Sequence, residues 1–181
     1  MKYCSNCGEK VIFEVPEQDN RPRYVCSACG TVHYQNPRVV VGTVPIWKDQ
    51  VLLCRRNIEP RKGFWTLPAG FLENGETVYD GAFRETVEET GTSVSDLVPY
   101  LMIDILHVHQ IYLMFRARLT TMDFHPTDES SEILLFREED IPWGKIAFKV
   151  IEKTLHSYFN DHATGCFDFR IDKIDKMNKF R

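Results

Sequence analysis

The sequence predicts an α/β (α+β) layered domain preceded by a small cysteine-built module. Three observations carry this. The first thirty residues hold two Cys-x-x-Cys pairs; from Arg38 onward short strand-like apolar runs interleave with two segments of helical period; and the first of those helices carries three glutamates on little more than one turn. Strands and helices that alternate along a chain bury their apolar faces by layering.

Composition sets the outer limits. The chain has 181 residues, 43% hydrophobic and 12% aromatic, which suits one domain of ordinary size with an appendage. Charged residues make up 27% and the net charge is −4, so there is no overall basic footprint and nucleic acid is not the expected partner. No apolar run approaches the ~20 residues of a membrane span. The opening MKYCSNCGEK has no apolar signal region. A cytoplasmic, reducing setting is therefore expected, with unpaired cysteines.

The module spans residues 1–34. Cys4, Cys7, Cys26 and Cys29 fall as C-x2-C-x18-C-x2-C, the spacing of a tetrahedral Cys4 zinc site. Each pair puts two thiolates on one tight turn, and the glycine after it relieves the backbone there. About thirty residues cannot build an adequate core, so a metal staple makes physical sense. Four free thiols or a redox pair is the plainer alternative. Val11–Val15 reads as a strand. His33 could substitute as a ligand, but four cysteines suffice.

The domain proper is placed at 35–165. RVVVGTVPIW and VLLCRR read as two strands around a turn at residues 48–50, with Cys54 as a small core residue. FWTLPAG is a short strand entering a Pro/Gly loop. LVPYLMIDILHV, QIYLMFRARL and ILLF (133–136) supply further strands, and 145–159 has helical spacing. His107 and His109 read as polar residues on one strand face. The stretch 166–181 is a charged surface tail.

Residues 77–90 form the carboxylate helix. Thr77 is its N-cap with Asp80 at N3, and Gly91 ends it. Val78, Tyr79, Ala82, Phe83, Thr86, Val87 and Thr90 span one broad face, and Glu85, Glu88 and Glu89 an adjoining stripe. Gly81 lies on that stripe; a mid-helix glycine costs ~1 kcal/mol against alanine, which points to a close neighbour. Glu85 and Glu89 repel each other at i,i+4. A hard divalent cation, Mg2+ or Mn2+, would relieve that repulsion. A solvated acidic face is the bland alternative.

Gly70, Glu76, Arg84, Glu85, Glu88, Glu89 and Gly91, spaced G-x5-E-x7-R-E-x2-E-E-x-G, resemble the Nudix box. Thr86 and Thr92 stand where that pattern has aliphatic residues; the Thr86 hydroxyl can bond the carbonyl one turn back. The resemblance implies an α/β/α sandwich with a mixed sheet, and a hydrolase of nucleoside diphosphates linked to another group. It implies Glu85 and Glu89 as the main metal ligands, Glu88 as a further ligand or base, and a ligand from the Ala69 carbonyl. By the same resemblance Arg84 orients a glutamate and Glu76 holds the loop to the helix.

Among Nudix branches with an N-terminal ribbon, NADH pyrophosphatases carry a Ser-Gln-Pro-Trp-Pro-Phe-Pro element after the box. Pro99 and Pro126 stand alone there in this chain. HYQNPRVVVG, LLCRRNIEP and GFWTLPAGFLENGE instead resemble a branch acting on FAD and ADP-ribose. That resemblance implies a distant carboxylate, ligand or base, in DESSE (128–132), assigned to Glu132. Arg55 or Arg56 could contact phosphate, with only one of the two facing inward, and Trp65, Tyr34 or Phe64 could stack on a base. A small nucleotide is the expected substrate and a homodimer the expected assembly. NADH or dinucleotide hydrolysis, RNA 5′-end decapping and a non-catalytic nucleic-acid or partner-binding regulator are the competing functions.

Overall fold

The computed structural model describes residues 1–175. The chain falls into two compact units, Met1–Pro37 and Arg38–Arg181. Among the described residues no helix is long and apolar enough to cross a membrane.

The N-terminal unit is a three-stranded antiparallel sheet of β1 (Val11–Glu14), β2 (Arg23–Cys26) and β3 (Val32–His33), in that order. Cys4 and Cys26 are its only buried residues, and Ile12 and Phe13 of β1 are exposed. The unit therefore has no apolar core to hold it.

The second unit is built on one mixed sheet. Its strands are β4 (Arg38–Trp47), β5 (Gln50–Arg56), β6 (Trp65–Thr66), β7 (Ala69–Phe71), β8 (Val94–Ile105), β9 (Gln110–Leu119), β10 (Ser130–Phe136) and β11 (Arg170–Ile174). The order is β10-β5-β4-β9-β8-β11, with β6 beside β5 and β7 beside β4. β4 runs parallel to β9 and β11 parallel to β8; the other pairs are antiparallel. Side chains alternate across a strand. Val41 and Phe115 face one way and pack on Ala82 of helix α1 (Val78–Thr90). Val44, Leu53, Leu101, Ile103 and Met114 face the other and pack on Val150, Ile151, Leu155, Tyr158 and Phe159 of helix α2 (Lys149–Thr164). Two helices on opposite faces of one sheet make the α/β/α sandwich, and each fully buried aliphatic contributes ~1.5–3 kcal/mol.

Helix α1 begins and ends where its caps dictate. Thr77 Oγ1 accepts the Asp80 N–H at 3.2 Å while Asp80 Oδ2 accepts the Thr77 N–H at 3.2 Å. Gly91, at φ 66°, closes the helix by donating its N–H to the Val87 carbonyl at 2.8 Å.

Its packed face differs from the hydrophobic periodicity. Gly81, Ala82, Thr86, Glu89 and Thr90 are buried, whereas Tyr79, Phe83 and Val87 are 36–47% exposed. The helix leans its small and acidic residues on the sheet. Gly81 is the reason it can: a Cβ there would meet Glu76 Oε1 at 2.8 Å, Leu72 Cδ1 at 2.9 Å and Val41 Cγ2 at 3.0 Å. Thr86 is fully buried and satisfies its hydroxyl on the Ala82 carbonyl and the Thr43 hydroxyl, both at 2.7 Å.

Two expectations change. Residues 107 and 109 are not on a strand: Leu106–Val108 is a 3-10 turn and His109 sits at φ 54° as the chain reverses into β9. The tail supplies β11, whose side chains are mostly exposed but whose backbone extends the sheet; residues 176–181 lie outside the described residues. Gly81→Ala tests the close approach of α1. Helix propensity alone favours alanine by ~1 kcal/mol. The clash should outweigh it, and urea denaturation should show a net loss of about 1–2 kcal/mol.

Candidate functional site

Arg84 organises the acidic end of the site. Its Nε and Nη2 grip both oxygens of Glu76 at 3.0 and 2.7 Å, its Nη1 reaches Glu85 Oε1 at 2.7 Å and Glu88 Oε2 at 3.0 Å, and its Nη2 also donates to the Phe71 carbonyl at 3.1 Å. Glu76 is thereby tied to α1 and accepts the Glu73 N–H at 2.7 Å. Arg84 and that amide hold its carboxyl down at about 2. The Glu85 carboxylate lies directly over Gly70: a Cβ there would fall 2.2 Å from Glu85 Oε2. Only glycine leaves that space.

Glu89 is the residue Arg84 does not reach. It is 6% exposed, and both of its hydrogen bonds go to Oε2, from the Ala69 N–H at 3.3 Å and the Cys54 thiol at 3.5 Å. Burial first, then the charge of Glu85, pushes its carboxyl up to about 8. Burial also raises Glu85, against the pull of Arg84. An under-bonded carboxylate repelled by a neighbouring one is the donor set a hard divalent cation fits. The three helix glutamates do not converge on one point here, because Arg84 holds Glu85 and Glu88 to itself. Among the described residues, the four cysteines are the one cluster of three or more ligating side chains within 4.8 Å of each other.

The structure places the acids of DESSE on and just before β10. Glu132 pairs with Arg55 at 3.2 Å, because a bulge between Ser130 and Glu132 sets it opposite that residue. Glu129, three residues earlier, is the acid of DESSE whose charge bears on both Glu85 and Glu89. A carboxylate-rich segment was visible in the sequence, but the register of its bulge was not.

A cavity of about 930 Å3 opens against Ala69 and Gly70. Four cationic side chains, Arg38, Arg56, Arg61 and Lys149, and two carboxylates line it, together with Phe64, Phe71, Tyr112, Trp143 and Phe148. Arg38 stacks over Phe71 at 4.7 Å, Arg56 over Phe148 at 5.1 Å and Arg61 over Phe64 at 5.4 Å. The N-terminal end of α2 adds the positive end of a helix dipole. Tyr112 lines the cavity, and burial pushes its hydroxyl up.

Strand alternation separates the two candidate arginines. Arg56 lines the cavity, while Arg55 turns away to the Gly63 carbonyl at 3.0 Å and to Glu132. Trp65 is not a base platform: it is 7% exposed and packs edge-on against Phe136 in the core. Tyr34 belongs to the N-terminal unit, where Arg23 stacks on it at 5.0 Å. His107, Tyr112, Trp143 and Phe148 were missed because they come together only through the fold.

In the N-terminal unit the sulfurs of Cys4 and Cys29 are 3.7 Å apart and those of Cys7 and Cys26 3.5 Å. Four sulfurs at ~2.3 Å from a tetrahedral zinc would be separated by roughly 3.8 Å. Gly8 and Gly30 take φ of 80° and 72° and donate their N–H groups to the Cys4 and Cys26 carbonyls. The Thr31 hydroxyl and amide hold Cys29 down at about 5, favouring thiolate. His33 Nε2 stands 3.3 Å from Cys4 Sγ, a neighbour of the cluster.

Two measurements follow. Elemental analysis of reduced protein prepared without chelator should find about one zinc per chain, and Cys4→Ser should abolish it. Glu89 gives a pH test of the metal-free protein. Its folded-state carboxyl is raised from an ordinary 4.5 to about 8. The stability it contributes is present below pH 4.5 and lost as pH rises through 8. Glu89→Gln should therefore match wild type near pH 4 and exceed it at pH 9 by up to ~4 kcal/mol in denaturant titrations.

Comparison with known proteins accords with this geometry. A family profile described as Nudix N-terminal matches residues 2–35, and one described as NUDIX domain matches residues 36–154. The crystal structure of a NUDIX hydrolase from Nitrosomonas europaea superposes with a TM-score of 0.93 at 48% identity, over 97% of this chain and 100% of that one. An ADP-ribose pyrophosphatase from Streptococcus suis shares the fold at a TM-score of 0.62 and 20% identity, covering 77% of this chain and all of that one. The NAD-capped RNA hydrolase NudC of Vibrio parahaemolyticus is 27% identical over 89% of this chain. The chain spans 62% of that relative's length. With the two profiles together matching residues 2–154 and the acidic helix in place, the chain belongs to the Nudix hydrolase family.

Proposed function

We propose that the chain hydrolyses the pyrophosphate of an adenosine diphosphate joined to a second group, with FAD or ADP-ribose as the leading substrates and AMP as a product. The observation that carries this reading is the contact between the two halves of the site. The cationic, aromatic cavity opens on Ala69 and Gly70, the same residues that touch Glu89 and Glu85. A phosphoanhydride bound by Arg56 and the positive end of α2 would lie beside the carboxylates, and a ring could stack on the aromatic lining.

Glu85, Glu88 and Glu89, with the Ala69 carbonyl and Glu129, would hold Mg2+ or Mn2+. Such a cation offsets phosphate charge and lowers the pKa of bound water. Arg84 then has a defined task. By gripping Glu76 and Phe71 it fixes β7, which carries Ala69 and Gly70, against α1, so that carboxylates and cavity keep their spacing. A cation bound there would offset the burial and the Glu85 repulsion that raise Glu89 in the metal-free protein and keep its carboxylate ionised.

A second reading is hydrolysis of NAD or of an NAD-capped RNA end, favoured by the relatives named for that activity. It shares the adenosine diphosphate unit. The lone Pro99 and Pro126, in place of the NADH-type element, favour the first. The test is a hydrolysis screen over FAD, ADP-ribose, NADH, NAD-capped RNA and nucleoside triphosphates, with Mg2+ and Mn2+ and product identification. FAD or ADP-ribose should exceed NADH in kcat/KM by at least about tenfold, ~1.4 kcal/mol of transition-state binding. Glu89→Gln should lose ~10^3 in kcat, ~4 kcal/mol. Fastest turnover of nucleoside triphosphates, or of capped RNA, would displace the first reading.

A further inference from the structure

The NUDIX domain match ends at residue 154, yet the sheet continues past it. β11 adds itself parallel to β8, with Arg170 opposite Leu101 and Ile174 opposite Ile105. Two polar contacts with α2 fix that register. Asp161, 7% exposed, accepts the Tyr100 hydroxyl at 2.7 Å and the Arg170 Nη1 at 3.0 Å, and Arg170 Nη2 reaches the Tyr100 hydroxyl at 3.0 Å. One turn or more toward the start of α2, Lys153 pairs with Asp172 at 2.6 Å. Arg170, Asp172 and Ile174 alternate onto one face of the strand. A buried carboxylate that loses its cation is costly, and a one-residue slip would turn all three side chains away.

The anchored strand ends in the cavity. Ile174 is half-buried against the core and lines the cavity with Ile105, Val150 and Trp143. The Trp143 ring is held flat by His156, stacked at 4.1 Å with 1° between the planes. An aliphatic wall beside a fixed indole suits a planar ring, not a phosphate.

We propose that β11 is part of the nucleotide pocket: Arg170 is a positioning residue that sets the strand's register, and Ile174 is the apolar wall against which a ring of the nucleotide packs. The inference builds on the proposed function in taking this cavity as the nucleotide site. Ile174→Asp should raise KM for the best substrate at least tenfold with kcat within twofold, and Ile174→Leu should behave as wild type. Arg170→Ala should raise KM in the same way, with kcat retained. Binding is read separately by titrating AMP against tryptophan fluorescence, where Ile174→Asp should weaken Kd at least tenfold. Weaker AMP binding by the variant, in a wild type that hydrolyses none of the substrates, would sink the proposed function and leave this inference standing. Hydrolysis by wild type with KM and AMP affinity unmoved in Ile174→Asp, or a loss confined to kcat, would overturn the inference alone. So would failure of the wild type to bind AMP.

Discussion

One guanidinium is shared among too many carboxylates. Arg84 contacts Glu76, Glu85 and Glu88 and the Phe71 carbonyl of β7, and so joins the segment before α1 to the helix itself. Without it β7 would be tied to the acidic residues of α1 only through the Ala69 N–H bond to Glu89. Charge-assisted bonds to a planar, fork-shaped donor define direction as well as strength, which lysine could not do here. Glu89 is what remains outside this arrangement. It is buried, lightly bonded and repelled by Glu85, and that residual imbalance is the site's chemical potential.

The geometry needs two glycines to stand. Gly70 lets the Glu85 carboxylate rest on the β7 backbone, and Gly81 lets α1 approach β4. Together they bring Glu89 into the packed face and leave Tyr79, Phe83 and Val87 partly in solvent. Turning those larger apolar residues onto the sheet would swing Glu85 and Glu89 away from β7. The capping box and the Gly91 terminus fix the ends of the helix, and the Thr86–Thr43 hydroxyl bond fixes its rotation on β4.

What could be read from the sequence follows from which signals are local. The box spacing, both caps of α1, the cysteine pairs and the strand runs depend on near neighbours, and they appear in the structure close to their expected positions. The rotation of α1 was misread because periodicity ranks residues by apolarity, and a functional helix buries what its site requires. Glu132 lies opposite Arg55 because a bulge between Ser130 and Glu132 changes which residue faces which way, and a bulge is not written in local sequence. Arg56 could be separated from Arg55 by alternation in principle, but which of the two faces inward depends on β10 and α2. Trp65 fills the core, as single aromatics usually do. β11 was unreadable: its side chains are mostly exposed, and what makes it a strand is its parallel pairing with β8, some seventy residues earlier in the chain.

The cavity shows the same division of labour at a longer range. Its arginines come from β4, β5 and the loop after β5, its aromatics from that same loop, β7, β9 and the segment leading into α2, and its carboxylates from α2 and the residue after β11. Each arginine stacks on an aromatic ring, which holds the cation in place by contact with a π-face and leaves its N–H groups free for an anion. A lysine in these positions would be more mobile and would lose the stacking. The acidic box and the cationic cavity therefore meet along one short strand, β7, whose backbone touches both. Shifting that strand by a single residue would detach the carboxylates from the pocket, which is why the contacts holding it, from Arg84 to Phe71 and from Glu89 to Ala69, tie the electrostatics of the site to its shape.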